Sequence, residues 1–384
     1  MWRFFKMEGF DKRVFGLDLL RFIAIFMVLI GHSMMFVPES VKKVCYKFML
    51  DGVGIFFVLS GFLIGGILIR ILNKENAITF PNLLDFWKRR WMRTLPAYLV
   101  VLLFLLGYTA IFQLNKLPDT WYRFFYFGQN LFVQRPSFFA EAWSLSIEEW
   151  FYLSVPLVLF TTLFVFKTPV KWTVLGCAIG IIVLVTFYRS YLFHAYDFSG
   201  NMADLSKFKD YIHLSIEYQV VPRLDAIMFG VLGAFLAHYF SKFWTSSFKY
   251  LLFIVGIGIL YIIKYQMGKT YGEFAVIWVP TLKSLAVLCT LPVFSTMKNG
   301  FGIWTKWITF FSLISYSMYL VNLNVVSNVM IKQWFNHHFS GKMAVGDDWY
   351  INFILFWVLT IGISFILYQC IEVPFMKLRD KNKK

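Results

Sequence analysis

Residues 16–33, GLDLLRFIAIFMVLIGHS, form an apolar stretch bracketed by Asp18 and Arg21 at one end and His32 at the other. Apolar residues carry it on to Val37, long enough for a helix to cross a hydrocarbon core of about 30 Å. On such a helix Arg21 and His32 lie three turns and about 20° apart, on one face, roughly 16 Å from each other. They are therefore placed to line one side of a common cavity. A cation and an imidazole inside a span are costly unless they face a bundle interior, a water-filled pocket or a charged partner. A plainer account also fits: Arg21 pairs with Asp18 one turn before it as a headgroup anchor, and His32 caps an outer end.

The rest of the chain has the same character. Of 384 residues, 59% are hydrophobic and only 15% charged, with a mean hydropathy of +0.64. That composition excludes an ordinary soluble globular protein. Apolar segments at 15–37, 52–72, 94–113, 144–166, 172–193, 222–240, 249–265, 274–296, 307–331 and 349–371 predict an all-α, polytopic transmembrane bundle of about ten spans. With an even number of spans both termini share a side. The larger share of Lys and Arg in alternate segments puts that side in the cytoplasm, with a short leading segment 1–14 and a basic tail 372–384. No soluble domain is expected, so 1–384 reads as one integral-membrane domain, its first span an uncleaved anchor.

The formal charge of +16 raises nucleic acid as a partner, but the basic residues are scattered between spans and not gathered on one face, so none is expected. Cys45, Cys177, Cys289 and Cys370 show no paired spacing, so neither a disulfide framework nor a metal site is expected.

Polar residues near or inside spans are the candidates for chemistry. In DGVGIFFVLSGFLIGGIL, 51–68, Gly61, Gly65 and Gly66 mark close helix contact, and Ser60 reads as a packing hydroxyl in preference to a nucleophile, since no His or Lys lies within a turn to activate it. In FWKRRWMRTLPAYL, 86–99, Arg90 and Arg93 share a helical face and can present forked donors to phosphate oxygens. A basic cluster at an inner membrane edge also follows from topology alone.

The aromatic outer segment 114–142 leads into EAWSLSIEEWFYLSVPLVL, where Glu148 and Glu149 point about 100° apart, so one faces the cavity while the other faces solvent. A carboxylate beside Trp143, Trp150 and Tyr152 can orient or charge an imidazole, although such rings also form interfacial belts. The polar stretch 190–221 reads as an outer flap; Arg223 and Asp225 follow it as a pair, either a local contact or part of an acceptor site. Lys283 either snorkels or lines the cavity, and Pro374 is expected to end the last helix beside Glu372.

Together these stretches resemble the acyltransferase 3 family of integral-membrane proteins, which includes bacterial O-acetyltransferases of surface polysaccharides. The resemblance rests on GLD followed by Arg21 and His32, on FFVLSGFLI at 56–64, on Arg90 and Arg93 followed by Pro96 and Tyr98, on WSLSIEEWFY at 143–152, on PRLDAIMFG at 222–230 and on the IEVPF ending. It implies transfer of an acyl group, usually acetyl, from a cytoplasmic acyl-CoA donor to a hydroxyl of a glycan or lipid-linked sugar, in the inner membrane and with no bound cofactor. By the same resemblance His32 is the catalytic histidine, Arg21 its partner, Arg90 and Arg93 the donor-phosphate contacts with Ser60 nearby, and Glu148 a carboxylate near the reaction centre. Asp18, Tyr152, Arg223 and Asp225 are left to acceptor or structural roles. Asn322, in ISYSMYLVN, departs from the family's histidine. No periplasmic hydrolase-type domain follows the bundle, so this is expected to be the stand-alone form, and a partner protein would supply any second transfer step. The rival class is a transporter or flippase of lipid-linked sugars, which would favour internal repeats; none is apparent between the two halves.

Overall fold

In the computed structural model, residues 13–74, 78–113, 116–132, 137–196, 210–267, 272–300, 302–335 and 349–381 are described. The chain runs through α1 (Phe15–Ser33), α2 (Glu39–Phe48), α3 (Gly52–Leu72), α4 (Phe80–Phe112), α5 (Ala142–Phe166), α6 (Val170–Ala195), α7 (Leu224–Tyr239), α8 (Phe248–Ile262), α9 (Val279–Thr296), α10 (Ile303–Val321), α11 (Trp349–Leu367) and α12 (Val373–Lys381). Among the described residues ten helices are long and apolar enough to cross a membrane. Large apolar side chains such as Phe164, Leu184, Phe187 and Ile254 stand exposed on the outside of the bundle, where lipid tails would cover them. The molecule is a multi-pass membrane protein.

Side-chain size decides which helices approach most closely. A Cβ at Gly61 would overlap the Ile227 carbonyl, and one at Gly230 the Val58 carbonyl. Two glycines thus let the backbones of α3 and α7 touch, and Gly65 continues the contact against Val231 and Ala234. Arg223 meets Asp51 just before the two helices and Asn73 donates to the Tyr239 hydroxyl at 3.0 Å at their far ends, so α3 and α7 run parallel. Gly66, expected in the same seam, has nothing within 4 Å of where its Cβ would stand and takes no part in it.

The helices α1 and α10 are the second organising pair. Ser312 on α10 meets Asp18 and Arg21 near the start of α1, while Asn322, just past α10, meets His32 near its end. These two helices therefore also run parallel, tied at two levels. From Asn322 to Phe335 the chain continues as a π-helix, a form that is rare and frequent at functional sites.

Two expectations change. The third span does not begin at residue 94: α4 is one helix of 33 residues, about 50 Å long, and it carries Arg90 and Arg93 within it. Hydropathy passes over these turns because they carry Asp85, Lys88, Arg89, Arg90 and Arg93, of which Arg90 and Arg93 line the cavity while Asp85 and Lys88 are exposed. Pro374 does not end the last helix. The helical run passes through a π-turn at Tyr368–Glu372 and continues across Pro374 into α12. Between α1 and α3 the chain forms α2, whose Lys42, Lys43 and Lys47 alternate with the exposed Val44, Tyr46 and Phe48. Of the expected flap at 190–221, residues 197–209 lie outside the described residues.

Candidate functional site

A cavity of about 120 Å³ opens between α1, α3, α4, α5 and α10. Arg21, Arg90 and Arg93 supply three guanidinium groups to its lining and Glu148 one carboxyl. Arg21 is held on α1 by Asp18 at 3.4 Å and Ser312 Oγ at 3.2 Å, inside a cluster in which Arg13 also pairs with Asp18. Arg21 thus pairs with Asp18 and also lines the cavity.

On α4, Arg90 and Arg93 project from one face, three residues apart. Pro96 removes one ladder bond just beyond them, and the Tyr316 hydroxyl donates to the Thr94 carbonyl at 2.8 Å. Arg90 Nε is buried without a hydrogen-bond partner among the described residues. A buried donor on a cation that lines a cavity is available to an anion there. Net positive lining gives the space a preference for phosphate, sulfate or carboxylate groups.

The helix α5 brings a polar chain to the same cavity. Tyr152 donates to Glu148 Oε2 at 3.2 Å, and Ser60 Oγ lies 2.7 Å from the Tyr152 hydroxyl. With Tyr152 donating to the carboxylate, Ser60 donates in turn, so three side chains share one polarised line. Ser60 thus packs by hydrogen bond and also lines the cavity. Glu149 does not face solvent as expected. It is 8% exposed and accepts a hydrogen bond from Thr94 Oγ1 at 2.8 Å, tying α5 to α4.

His32 stands apart from Arg21. The expectation that both line one cavity is not met, because the lining on α1 is Arg21 alone. On α10 the lining residues are Ser315, Tyr316 and Tyr319, and Asn322 lies one turn further on. Its amide oxygen is 2.5 Å from His32 Nδ1. The imidazole therefore sits about one helical turn, roughly 5 Å, beyond the Tyr319 wall, in line with the cavity from its arginine end. Tyr319 is itself held by Ser144 Oγ at 2.6 Å and by the Glu141 carbonyl at 3.2 Å.

Arg223 and Asp225 do not form the pair expected of them. Asp225 is buried and accepts from Arg189 Nη2 at 2.8 Å and from Thr281 at 3.0 Å. Arg223 reaches Asp51 at 3.7 Å, beside Lys283, in a small second cavity away from the arginines. The two residues are neighbours in sequence with separate partners on separate helices. Arg189, 0% exposed, escaped the sequence, although a lone arginine inside YRSY was the signal available. Glu141 was also missed as a polar anchor; it accepts from the backbone N–H of Asn324 at 3.0 Å and from its side chain. The segments 114–142 and 210–221 meet through Asn130, which donates to the Tyr218 carbonyl at 2.6 Å.

Comparison with known proteins agrees with this architecture. A family model described as an acyltransferase domain, the third of that name, matches residues 14–371. Over 97% of its length the chain is 27% identical to a Staphylococcus aureus (strain COL) protein named "Putative O-acetyltransferase SACOL0978", of which the match covers 59%. Over 40% of its length it is 34% identical to the O-acetyltransferase OatA of S. aureus (strain NCTC 8325 / PS 47), covering 26% of that protein. The chain thus spans about three fifths of the length of the first of these relatives. No solved structure was found to match.

Proposed function

The chain belongs to the acyltransferase 3 family, and from that premise we propose that it is a membrane-bound O-acyltransferase. It moves an acyl group, acetyl by default, from an acyl-CoA donor to a hydroxyl of a cell-surface glycan or lipid-linked sugar. The observation that carries this is the cavity lined by Arg21, Arg90 and Arg93, with an unpaired buried Nε on Arg90 and with His32 beyond its far wall. The names of the S. aureus relatives support acetyl as the group moved.

In this mechanism the donor enters from the cytoplasmic face of the inner membrane and its phosphates meet Arg90 and Arg93. Arginine suits that role because its planar fork binds phosphate oxygens two at a time. The thioester end runs along the cavity past Ser60, Tyr152 and Glu148 toward Tyr319. His32 takes the proton of the acceptor hydroxyl on Nε2, the oxygen attacks the thioester carbonyl, and the carbon–sulfur bond breaks. The leaving thiolate then recovers a proton from the imidazolium. General-base assistance of this kind contributes about 10² to 10⁴ in rate. Glu148, fixed by Tyr152 and Ser60, supplies negative charge among the arginines and keeps the cavity from being permanently occupied by small anions. Acceptor selection falls to the joined segments around Asn130 and Tyr218, and a glycan-assembly partner presents the acceptor.

The test is transfer by the purified protein in lipid nanodiscs, with radiolabelled acetyl-CoA and extracted surface glycans. Label on glycan that disappears in His32→Ala, with Arg93→Ala rescued by more donor, is the expected result. Undiminished transfer by His32→Ala overturns the mechanism, and absence of transfer with every donor and glycan overturns the activity.

A further inference from the structure

Asn322 does more than touch His32. Its side-chain NH₂ donates to the Met318 carbonyl at 2.9 Å and to the Tyr319 carbonyl at 2.7 Å. Turning the amide over would press its oxygen against two carbonyl oxygens, so the orientation is fixed by the end of α10 itself. The oxygen that remains faces His32 Nδ1 at 2.5 Å and can only accept. Asn322 is 0% exposed, so water cannot stand in for it, and its own carbonyl is held by Ser327 Oγ at 3.0 Å where the π-helix begins.

An acceptor that cannot donate requires a proton on Nδ1. A neutral imidazole carries one proton, so the lone pair is then on Nε2. We propose that Asn322 is a positioning residue that holds His32 in the Nδ1–H tautomer and so keeps Nε2 as the basic nitrogen. The proposal rests on the assignment of His32 as the base. An asparagine can do this because its amide has a donor end to anchor and an acceptor end to present. The departure of this position from histidine is compatible with such a role, since an amide oxygen accepts whatever its surroundings, whereas a second imidazole would bring its own choice of tautomer. Asn322 touches neither donor nor acceptor and acts only through the ring.

Removing the acceptor withdraws the contact that selects Nδ1–H and favours the other tautomer, in which Nε2 is protonated and cannot accept. The expected loss in kcat for Asn322→Leu is roughly tenfold or more, with KM for acyl-CoA unchanged because the arginine end is intact. Asn322→Gln keeps an amide with a donor end and an acceptor end and should recover part of the rate. The direct readout is the nitrogen-15 spectrum of histidine-labelled protein in nanodiscs, with the His32 signals identified by their loss in His32→Gln. The wild type should show a proton on Nδ1 and none on Nε2, and this needs no variant of Asn322 to fold. A wild-type ring protonated on Nε2, or an Asn322→Leu protein with the wild-type spectrum and rate, overturns the proposal. The base assignment fails separately, through transfer that survives in His32→Gln.

Discussion

Arg90 offers a test in which stability and function should move in opposite directions. Its buried, unpaired Nε costs about 1–3 kcal/mol in the unliganded protein. Arg93, one turn along the same face, adds like-charge repulsion of roughly 0.2–0.5 kcal/mol. Arg90→Met keeps most of the packing of the stem and removes both penalties. The unliganded variant should therefore be at least as stable as wild type, by up to about 3 kcal/mol. Function should go the other way. A charge-assisted hydrogen bond to phosphate contributes about 1.5–3 kcal/mol, so KM for the donor should rise roughly 10- to 150-fold.

One measurement joins the two effects. Thermal unfolding in nanodiscs, followed by the fluorescence of the 14 tryptophans, is run with and without acyl-CoA. At a donor concentration 100 times its Kd, wild type gains about 2.7 kcal/mol. A variant with Kd raised about a hundredfold gains only ~0.4 kcal/mol at the same concentration, so adding donor moves the difference by about 2.3 kcal/mol in favour of wild type. A variant less stable than wild type without donor, or one that donor stabilises equally, refutes the assignment of Arg90 to an anion.

Arg189→Leu should destabilise by about 3–5 kcal/mol, because Asp225 is left charged and buried. Arg189→Leu combined with Asp225→Leu should recover most of that loss; unfolding curves in which the double variant is worse than either single one would count against a buried ion pair. Gly61→Val should cost more than the usual 1–3 kcal/mol of overpacking, since a backbone carbonyl stands where its Cβ must go, whereas Gly66→Ala should be neutral or gain up to about 1 kcal/mol. Equal loss of folded protein in both would mean that the α3–α7 seam is not where the structure puts it. His32→Ala should lower kcat by about 10² to 10⁴ with donor-induced stabilisation intact, which is checked by combining the transfer assay with the unfolding assay.

Hydropathy carries most of the fold. Ten apolar segments became ten helices able to cross a membrane, because a bilayer imposes length and composition on every span. The candidate site was legible where chemistry and helical spacing coincide, as for Arg90 and Arg93 on one face, or for Glu148 beside Tyr152 one turn on. It was not legible where a residue's partner comes from a distant helix. Asp225 looked like the partner of Arg223, two residues away, yet its cation is Arg189 on α6. Glu149 looked bound for solvent because adjacent helical residues diverge, yet α4 covers that side. Asn322 read as a gap in a motif, and its contact with His32 lies across 290 residues of chain.

The parallel pairing of α1 and α10 has a consequence for inhibitors. Both helices climb at the same 1.5 Å per residue, and they are pinned to each other near Arg21 and again at His32. The span of roughly 16 Å between guanidinium and imidazole is thus a rigid gauge, which neither helix can shorten without bending the other. On the proposed mechanism a productive donor reaches from the arginine end of the cavity to the imidazole. Fragments that fill only the arginine end, such as a nucleotide phosphate on Arg90 and Arg93 without the acyl-bearing arm, should occupy the protein and compete without reacting. A compound with an anion at one end and an uncleavable carbonyl at the other, matched to that gauge, should outcompete either half by far more than their separate affinities suggest.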